Sequence, residues 1–199
     1  MARPLAVAIT GSIGAGKSEA LAAFARHGAA TVSSDEIVHR LLREDDEVRR
    51  ALAGRFGDRV VTDGGEIDRG AIAEIVFADR KALDWLESLL HPRVAREYLE
   101  WRERLGKLRD PPAVCATEVP LLYEVGGEER FDAVVAIGAP EELRRARSAQ
   151  AVDGRQSRQL PDEEKLRRAD FAYVNDGSLA ELDAFVADTM RELEARARA

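Results

Sequence analysis

Eight residues near the start of the chain have the types and the spacing of a phosphate-binding loop. Residues 11–18 read Gly-Ser-Ile-Gly-Ala-Gly-Lys-Ser, which matches the pattern G-x-x-x-x-G-K-[ST] in full. Glycines let backbone N–H groups turn inward around phosphate oxygens at the N-terminus of the following helix. Lys17 can then reach the β- and γ-phosphates of a nucleotide, and the Ser18 hydroxyl can ligate the accompanying Mg²⁺. The motif therefore predicts binding of ATP with Mg²⁺.

The residues on either side of this loop have the pattern that a phosphate-binding loop requires. Residues 5–10, Leu-Ala-Val-Ala-Ile-Thr, form a short apolar run with β-branched members, which is typical of a buried parallel strand. After the loop, Leu21, Phe24 and Ala25 recur at helical spacing, and Gly28 is a C-terminal stop. The order strand, loop, helix favours the phosphate-binding interpretation over a glycine-rich turn that contains a lysine by chance.

Short apolar runs and helical patterns along the rest of the chain predict the fold class. Further strands are predicted at residues 30–32, 113–117, 133–137 and 171–174. A helix is expected over residues 34–43, and a long final helix from Ser178 onward. The apolar face of that final helix is predicted to consist of Leu179, Leu182, Phe185, Val186, Met190 and Leu193. The fold class is α/β, with a five-stranded parallel sheet flanked by helices.

The stretch from about 45 to 107 shows helical periodicity and no convincing buried strand. A turn is expected at Gly64-Gly65, and a new helix is expected to begin at His91-Pro92. We therefore expect a single domain in which this helical region and a lid interrupt the core. The lid is predicted at about 144–168, and the core at about 1–44, 108–143 and 169–199.

Composition and charge narrow the classes of function. The chain has 199 residues, which suits one domain of ordinary core size. Its net charge of −7 argues against a nucleic-acid or membrane surface, and no apolar stretch approaches the ~20 residues that span a bilayer. A signal peptide is not expected, because the first strand begins at about residue 5. The single cysteine, Cys115, is expected to be buried, which favours a reducing cytoplasm. We expect a monomer or a weak homo-oligomer.

Two acidic residues follow predicted strands, where ligands gather in a sheet of this class. Asp35 could act as the base for an incoming hydroxyl group. A structural role is the alternative, because Ser33 and Glu36 have the spacing of a capping box and Asp35 would favour the helix dipole. Glu118 could hold a water of the Mg²⁺ shell, or it could be a solvated loop carboxylate. The sequence leaves both choices open.

A basic cluster lies between the fourth and fifth predicted strands. Its members are Arg144, Arg145, Arg147, Arg155 and Arg158. Arginines that close over a transferred phosphoryl group stabilise the charge on its oxygens, as a lid does. The alternative is a solvated helix in a chain that uses arginine heavily. Asn175, in a turn after the last strand, could contact the base of a nucleotide.

Several segments together resemble the dephospho-coenzyme A kinase family, and the resemblance runs nearly end to end. The most specific are residues 119–124 (V-P-L-L-Y-E) and residues 89–92 (L-L-H-P). The phosphate-binding loop by itself is shared by a vast superfamily. The remaining matching segments are residues 35–39, 67–69, 75–77, 131–132, 159–161 with Lys165, 169–170 and 175–177.

The resemblance implies a five-stranded parallel P-loop kinase core with a helical substrate-binding region and a lid. It implies transfer of the γ-phosphoryl group of ATP to the ribose 3′-hydroxyl of dephospho-coenzyme A, the last step of coenzyme A biosynthesis, with Mg²⁺. The catalytic residues it implies are Lys17, Asp35, Arg144, Arg145 and Arg147. The ATP contacts are Gly11, Gly14, Ala15, Gly16, Lys17, Ser18, Glu19, Arg155 and Asn175. The substrate contacts are Asp35, Arg69, His91, Leu121 and Glu124, and the metal-binding residues are Ser18 and Glu118.

Three features depart from the family pattern. Ser33 stands where the family usually has an acid, and Glu19 stands where it commonly has threonine or a small residue. The chain between Arg145 and Gln159 is short for the usual lid. One alternative is a nucleoside or nucleotide monophosphate kinase, which would leave residues 89–92 and 119–124 unexplained. A degenerate nucleotide-binding protein with weak or no turnover is the other, and the short lid gives it some weight.

Overall fold

A five-stranded parallel sheet forms the centre of the structure, a computed structural model that describes residues 3–147 and 159–198. Its strands are β1 (Leu5–Thr10), β2 (Ala30–Val32), β3 (Val114–Glu118), β4 (Ala133–Gly138) and β5 (Phe171–Val174). All neighbouring pairs are parallel, in the order β2-β3-β1-β4-β5. The predicted fold class is confirmed.

Helices connect the strands. They are α1 (Lys17–Arg26), α2 (Ser34–Glu44), α3 (Asp46–Phe56), α4 (Arg69–Ala78), α5 (Arg80–Gly106), α6 (Glu141–Arg147), α7 (Asp162–Arg168) and α8 (Leu179–Arg198). Short 3-10 turns occur at Asp58–Val60 and Glu128–Arg130. The chain divides into a core unit, Met1–Ser33 with Arg102–Ala199, and a helical unit, Ser34–Trp101.

In the core unit, α1 and α8 cover one face of the sheet. Phe24 of α1 and Leu182 and Val186 of α8 are fully buried among the side chains of β1, β3 and β4. Burial of each such side chain contributes about 1.5–3 kcal/mol to folding. The predicted apolar face of α8 is correct except for Leu179, which is 64% exposed because it is the first residue of the helix, before the packed turns.

Two aspartates from the family-like segments stabilise the starts of strands. Asp132 Oδ2 accepts hydrogen bonds from the backbone N of Ala6 at 2.7 Å and from Arg102 Nη2 at 2.5 Å. Asp170 Oδ2 accepts one from the backbone N of Val134 at 2.8 Å. Both carboxylates therefore satisfy backbone donors that would otherwise lack partners at the edge of the sheet. Their roles are structural.

The helical unit follows the predicted periodicity between residues 45 and 107. Asp45 caps α3 through the N–H groups of Glu47 and Val48, and Asp68 caps α4 through that of Ala71. The expected turn at Gly64-Gly65 is present, between Val61 and Ile67, which form an isolated antiparallel bridge.

The predicted break at His91-Pro92 is wrong, because α5 continues through Pro92. A proline in a helix removes the hydrogen bond to the carbonyl four residues earlier, here Ser88. Ser88 is exposed, so water can reach that carbonyl. The buried residues Ala82, Leu90 and Tyr98 recur every eight residues on both sides of the proline. Continuous packing of this stripe therefore outweighs the loss of one backbone hydrogen bond.

Cys115 is fully buried in β3, as expected. Within residues 3–147 and 159–198, none of the helices combines the length and the apolar character that a bilayer crossing requires.

Candidate active site

The phosphate-binding loop connects the carboxyl end of β1 to the start of α1. Gly16 precedes the helix with φ 103°, and no side chain caps this end. The N–H groups of the first turn of an α-helix have no helical acceptors, and the helix dipole makes this end electropositive. The loop therefore presents uncapped donors to an anion at the edge of the sheet where nucleotides bind in this fold class.

Close neighbours require glycine at three positions of the loop. A Cβ on Gly11, which has φ 141°, would lie 2.0 Å from the backbone O of Ile137. A Cβ on Gly14, which has φ 77°, would lie 2.6 Å from the backbone O of Arg144. A Cβ on Gly16 would lie 2.3 Å from Asn175 Nδ2. Any other residue would push the loop away from β4, from α6 or from the turn after β5.

Lys17 is buried inside the loop. Its Nζ donates a hydrogen bond to the backbone O of Ser12 at 2.9 Å, and the backbone N of Ala15 donates to the same oxygen at 3.2 Å. The ammonium group is therefore held within the turn that would surround phosphate oxygens.

Ser18 and Glu118, the two residues predicted to bind metal, lie together. Ser18 Oγ donates to Glu118 Oε2 at 3.2 Å, and Glu118 is paired with Ile9 at the carboxyl end of β3. Hydroxyl and carboxylate oxygens are the ligands that Mg²⁺ prefers, so this pair fits the ion. In the part of the chain that the structure describes, no group of three or more His, Cys, Asp or Glu side chains could hold a metal.

The carboxylate of Glu19 lies along α1, where it pairs with Arg26. Its Oε1 accepts hydrogen bonds from Nη1 and Nη2 of Arg26, each at 3.2 Å. Glu19, which departs from the family pattern, therefore links two turns of α1 through its hydrogen bonds to Arg26.

Asn175, predicted to contact the nucleotide base, holds the phosphate-binding loop through a hydrogen bond to its backbone. It is 4% exposed, and its Nδ2 donates to the backbone O of Ala15 at 2.9 Å. Its backbone N donates to the O of Gly138 at 2.7 Å, at the end of β4. A direct contact with the base stays a prediction.

The predicted lid arginines have three different environments. Arg144 Nε donates to the O of Ala139 at 3.1 Å and lies 3.7 Å from Asp162 Oδ2. Arg145 pairs with Glu141 on the exposed surface of α6, as expected for a solvated helix. The third arginine, Arg147, donates from Nη1 to the O of Asn175 at 3.1 Å. The remaining two, Arg155 and Arg158, lie outside the described residues.

Asp162 contacts the phosphate-binding loop, a role that none of the sequence motifs predicts. Its Oδ1 accepts hydrogen bonds from the N of Ser12 at 3.1 Å and from Ser12 Oγ at 2.5 Å. The two residues are 150 positions apart, and neither belongs to a pattern that predicts the other. Only the pairing of strands brings them together.

Glu124, predicted to contact substrate, forms a buried ion pair with Lys165. The Lys165 Nζ lies 2.9 Å from Glu124 Oε1 and also donates to the O of Pro120 at 3.0 Å. The backbone N of Leu160 donates to the same Glu124 oxygen at 2.8 Å. Lys165 is only 1% exposed, so the pair joins the segment after β3 to α7. Leu121 is half-buried in the same segment.

The neighbouring Tyr123 is buried, and burial raises the pKa of its phenol. The guanidinium of Arg168, 4.1 Å above the ring centre, opposes this change. The phenol is therefore neutral at physiological pH and serves as a packing group with a cation over its face.

The other predicted acceptor-side residues belong to the helical unit. Asp35 is the second residue of α2, Arg69 is the first residue of α4, and His91 lies near the middle of α5. All three side chains are exposed.

A parallel sheet whose first strand runs through a complete G-x-x-x-x-G-K-[ST] loop into a helix defines a P-loop nucleotide-binding protein. Lys17 within that loop and the Ser18–Glu118 pair beside it are features that P-loop kinases share with other P-loop proteins that bind a nucleotide with a metal ion.

Comparisons with known proteins identify the family. A model of the family described as dephospho-CoA kinase matches residues 5–181. A dephospho-CoA kinase from Chlamydia pneumoniae is 39% identical over 189 residues, covering 92% of this chain and 93% of that protein. One from Thermus thermophilus is 35% identical over 202 residues, covering 98% and 95%. The chain belongs to the dephospho-CoA kinase family, and the resemblance read from its motifs is confirmed.

Solved structures agree. The crystal structure of TT1252 from Thermus thermophilus matches with a TM-score of 0.72 at 35% identity. The solved structure of dephospho-CoA kinase from Campylobacter jejuni matches with a TM-score of 0.69 at 28% identity. Each match covers 96% of this chain and 98% of the other.

Proposed function

We propose that the chain transfers the γ-phosphoryl group of ATP to the ribose 3′-hydroxyl of dephospho-coenzyme A, giving coenzyme A and ADP. The observation that carries this proposal is the complete phosphate-binding loop, with Lys17 inside it, in a chain that matches the family over residues 5–181. The loop supports the nucleotide half of the reaction, and membership of the family supports the acceptor half.

Residues of the core unit bind the phosphates and stabilise their charge. Phosphoryl transfer depends mainly on positioning and on electrostatic stabilisation of the transferred group, with no covalent enzyme intermediate. Phosphate oxygens compete with the O of Ser12 for the Nζ donors of Lys17, and they accept hydrogen bonds from the uncapped start of α1. Arg144, Arg147 and Arg155 are the candidates for further charge stabilisation, whereas Arg145 pairs with Glu141 on the exposed surface of α6.

We further propose that the metal is Mg²⁺, with Ser18 as a direct ligand and Glu118 acting through a bound water. Ser18 Oγ and Glu118 Oε2 are 3.2 Å apart, so both oxygens are close enough to help hold one ion. When bound with the nucleotide, the ion would supply positive charge that offsets the charge of the phosphate groups.

The acceptor side of the reaction is assigned to Asp35, with Arg69, His91, Leu121 and Glu124 as substrate contacts. Asp35 accepts the proton of the 3′-hydroxyl, a role that its exposure permits. Glu124 Oε1 already accepts hydrogen bonds from two donors, whereas Oε2 has no hydrogen-bond partner among the described residues. Oε2 is also buried, so a substrate can reach it only after neighbouring side chains move. With that movement, Oε2 is the Glu124 atom that we assign to the substrate.

The direct test is release of ADP from ATP and Mg²⁺ with a panel of acceptors. Dephospho-coenzyme A should support turnover, its product should gain one phosphate by mass, and ³¹P NMR should place that phosphate on the 3′-oxygen. An acceptor without the 3′-hydroxyl should remain unmodified. Turnover with nucleoside monophosphates alone would establish the alternative kinase. Binding of both substrates without turnover would establish the degenerate protein.

The state of the protein in the cell is also a proposal. We propose a monomer or a weak homo-oligomer in the cytoplasm, where the buried thiol of Cys115 would stay reduced. Light scattering over a range of protein concentrations tests the oligomeric state.

A further inference from the structure

The carboxylate of Asp162 joins three segments of the core unit. Its Oδ1 accepts both donors of Ser12, the backbone N at 3.1 Å and Oγ at 2.5 Å. Its Oδ2 accepts the backbone N of Ala139 at 3.4 Å and lies 3.7 Å from Arg144 Nε. The side chain is 15% exposed, so these contacts are weakly screened by solvent.

Ser12 connects this carboxylate to the lysine of the loop. Asp162 holds the N and Oγ of Ser12, while the O of Ser12 accepts the Nζ of Lys17 at 2.9 Å. The same oxygen accepts the backbone N of Ala15. A change in the orientation of Ser12 therefore changes the turn of the loop and the place of its lysine together.

We propose that Asp162 is a positioning residue for ATP, which holds the phosphate-binding loop in its binding conformation through Ser12. The inference deepens the proposed function and rests on it. A loop that has lost this anchor populates other conformations, and its apparent affinity falls by the fraction that remains competent. Bound ATP restores the loop through its own contacts, so the rate at saturation should change little.

A role limited to α7 is the competing explanation. Asp162 is one of three acidic residues in the first turn of α7, where negative charge favours the helix dipole. Glu163 is in the same turn and is exposed. Glu163→Gln therefore removes the same charge from the same helix end and serves as the matched control.

The experiment compares Asp162→Ala, Asp162→Asn, Ser12→Ala, the double variant Ser12→Ala/Asp162→Ala and Glu163→Gln. The dissociation constant for ATP is measured by calorimetry without acceptor, followed by kcat, both KM values and the melting temperature. For Asp162→Ala we expect the Kd and KM for ATP to rise about ten-fold, since two hydrogen bonds to a charged acceptor are lost. The kcat should stay within about two-fold and the KM for the acceptor should not change.

The other variants separate the contact of Asp162 with Ser12 from its role in the first turn of α7. Ser12→Ala keeps the backbone hydrogen bond, so we expect about a three-fold rise in the Kd for ATP. The double variant should bind ATP no more weakly than Asp162→Ala does, because both substitutions remove the same interaction between Ser12 and Asp162. The Kd for ATP of Asp162→Asn should lie between those of the parent and of Asp162→Ala. The Asn amide can present its oxygen to Ser12 only by turning its NH₂ group toward the donors of Ala139 and Arg144.

A parental Kd for ATP in folded Asp162→Ala would overturn the proposal. So would an equal rise in Glu163→Gln, or additive effects in the double variant. If Asp162→Ala does not fold, the Asn and Ser12→Ala variants decide, and parental affinity in both overturns the proposal. Assays of the unsubstituted chain separate the proposed function from the proposed role of Asp162. If that chain binds ATP but does not phosphorylate dephospho-coenzyme A, the function is refuted, and the ATP affinities of the variants still test Asp162.

Discussion

The phosphate-binding loop and the proposed acceptor-side residues of the helical unit differ in how their side chains are held. The loop is held by contacts from several elements, including Asn175 Nδ2 on the O of Ala15 and Asp162 on Ser12. In the helical unit, the side chains of Asp35 and Arg69 are exposed on helices.

This difference separates the general part of the reaction from the specific part. Triphosphate recognition needs donors fixed in place before the ligand arrives, because reorganisation during the reaction would cost rate. Acceptor recognition can be left to exposed side chains that meet the substrate when it binds. Substitutions in the two regions should therefore fail differently.

Asp35→Asn should produce the largest loss of activity. Asn cannot accept the hydroxyl proton, and general base catalysis contributes about 10²–10⁴-fold to rate. The exposed side chain supports little packing, so the melting temperature should barely change. Steady-state kinetics and thermal unfolding measure the two effects. Asp63→Asn, an exposed aspartate of the same unit, is the control. A variant that loses stability and keeps its rate would show that Asp35 only supports α2.

Lys165→Met should give the largest loss of stability. It leaves Glu124 buried without its cation, and breaking a buried ion pair in this way costs about 3–5 kcal/mol. Chemical denaturation measures the free energy of unfolding. Lys107→Met removes a lysine that is 75% exposed and should have almost no effect. Equal stability of the two variants would mean that the buried pair does not hold the segment after β3.

Lys17→Ala should lower turnover by about 10²–10³-fold, the usual effect of removing one preorganised donor. The fold should remain, because the side chain lies in the loop and contacts the O of Ser12. Turnover and circular dichroism provide the two readouts, and Lys81→Ala in the exposed part of α5 is the control. Near-normal turnover in the folded variant would contradict the assignment of the loop.

The sequence predicted the generic parts of the molecule well for a physical reason. The strands and the loop are local patterns, since apolar runs and glycine spacing are complete within a few residues. The contacts of Asp162 and Lys165 join distant segments, and no local pattern contains them. Pro92 illustrates the converse, because a strong local breaker is overridden by packing that the local pattern does not include.

Arg147→Ala and Arg145→Ala should separate the two sides of α6. Arg147 donates to the O of Asn175, whose side chain holds the loop, whereas Arg145 pairs with Glu141 on the surface. We expect about a ten-fold loss of activity for Arg147→Ala and almost none for Arg145→Ala.

The kinetic constants show how Arg147 acts. A fall in kcat alone indicates contact with the transferred group, and a rise in the KM for ATP alone indicates action through Asn175. If both variants keep the parental rate, α6 is a surface helix and the catalytic charge must come from elsewhere.

Asp183→Asn should have the smallest effect, and only on stability. Arg26 and then His27, at the end of α1, donate hydrogen bonds to Asp183 on α8, and they hold the pKa of its carboxyl below the ordinary value of 3.8. A lowered folded pKa stabilises the protein above 3.8, and this stabilisation is lost as the pH falls from there through the folded value. The variant should therefore melt slightly lower than the parent at neutral pH.

That difference should shrink in acid, and thermal unfolding across the pH range measures it. Asp188→Asn is the control, because Asp188 is exposed and pairs with Arg191 along the surface of the same helix. The affinity for ATP should not change in either variant, because the loop is held by Asn175 and Asp162 at the other end of α1. Weaker ATP binding in Asp183→Asn would show that the support of the loop extends through the whole of α1 to α8.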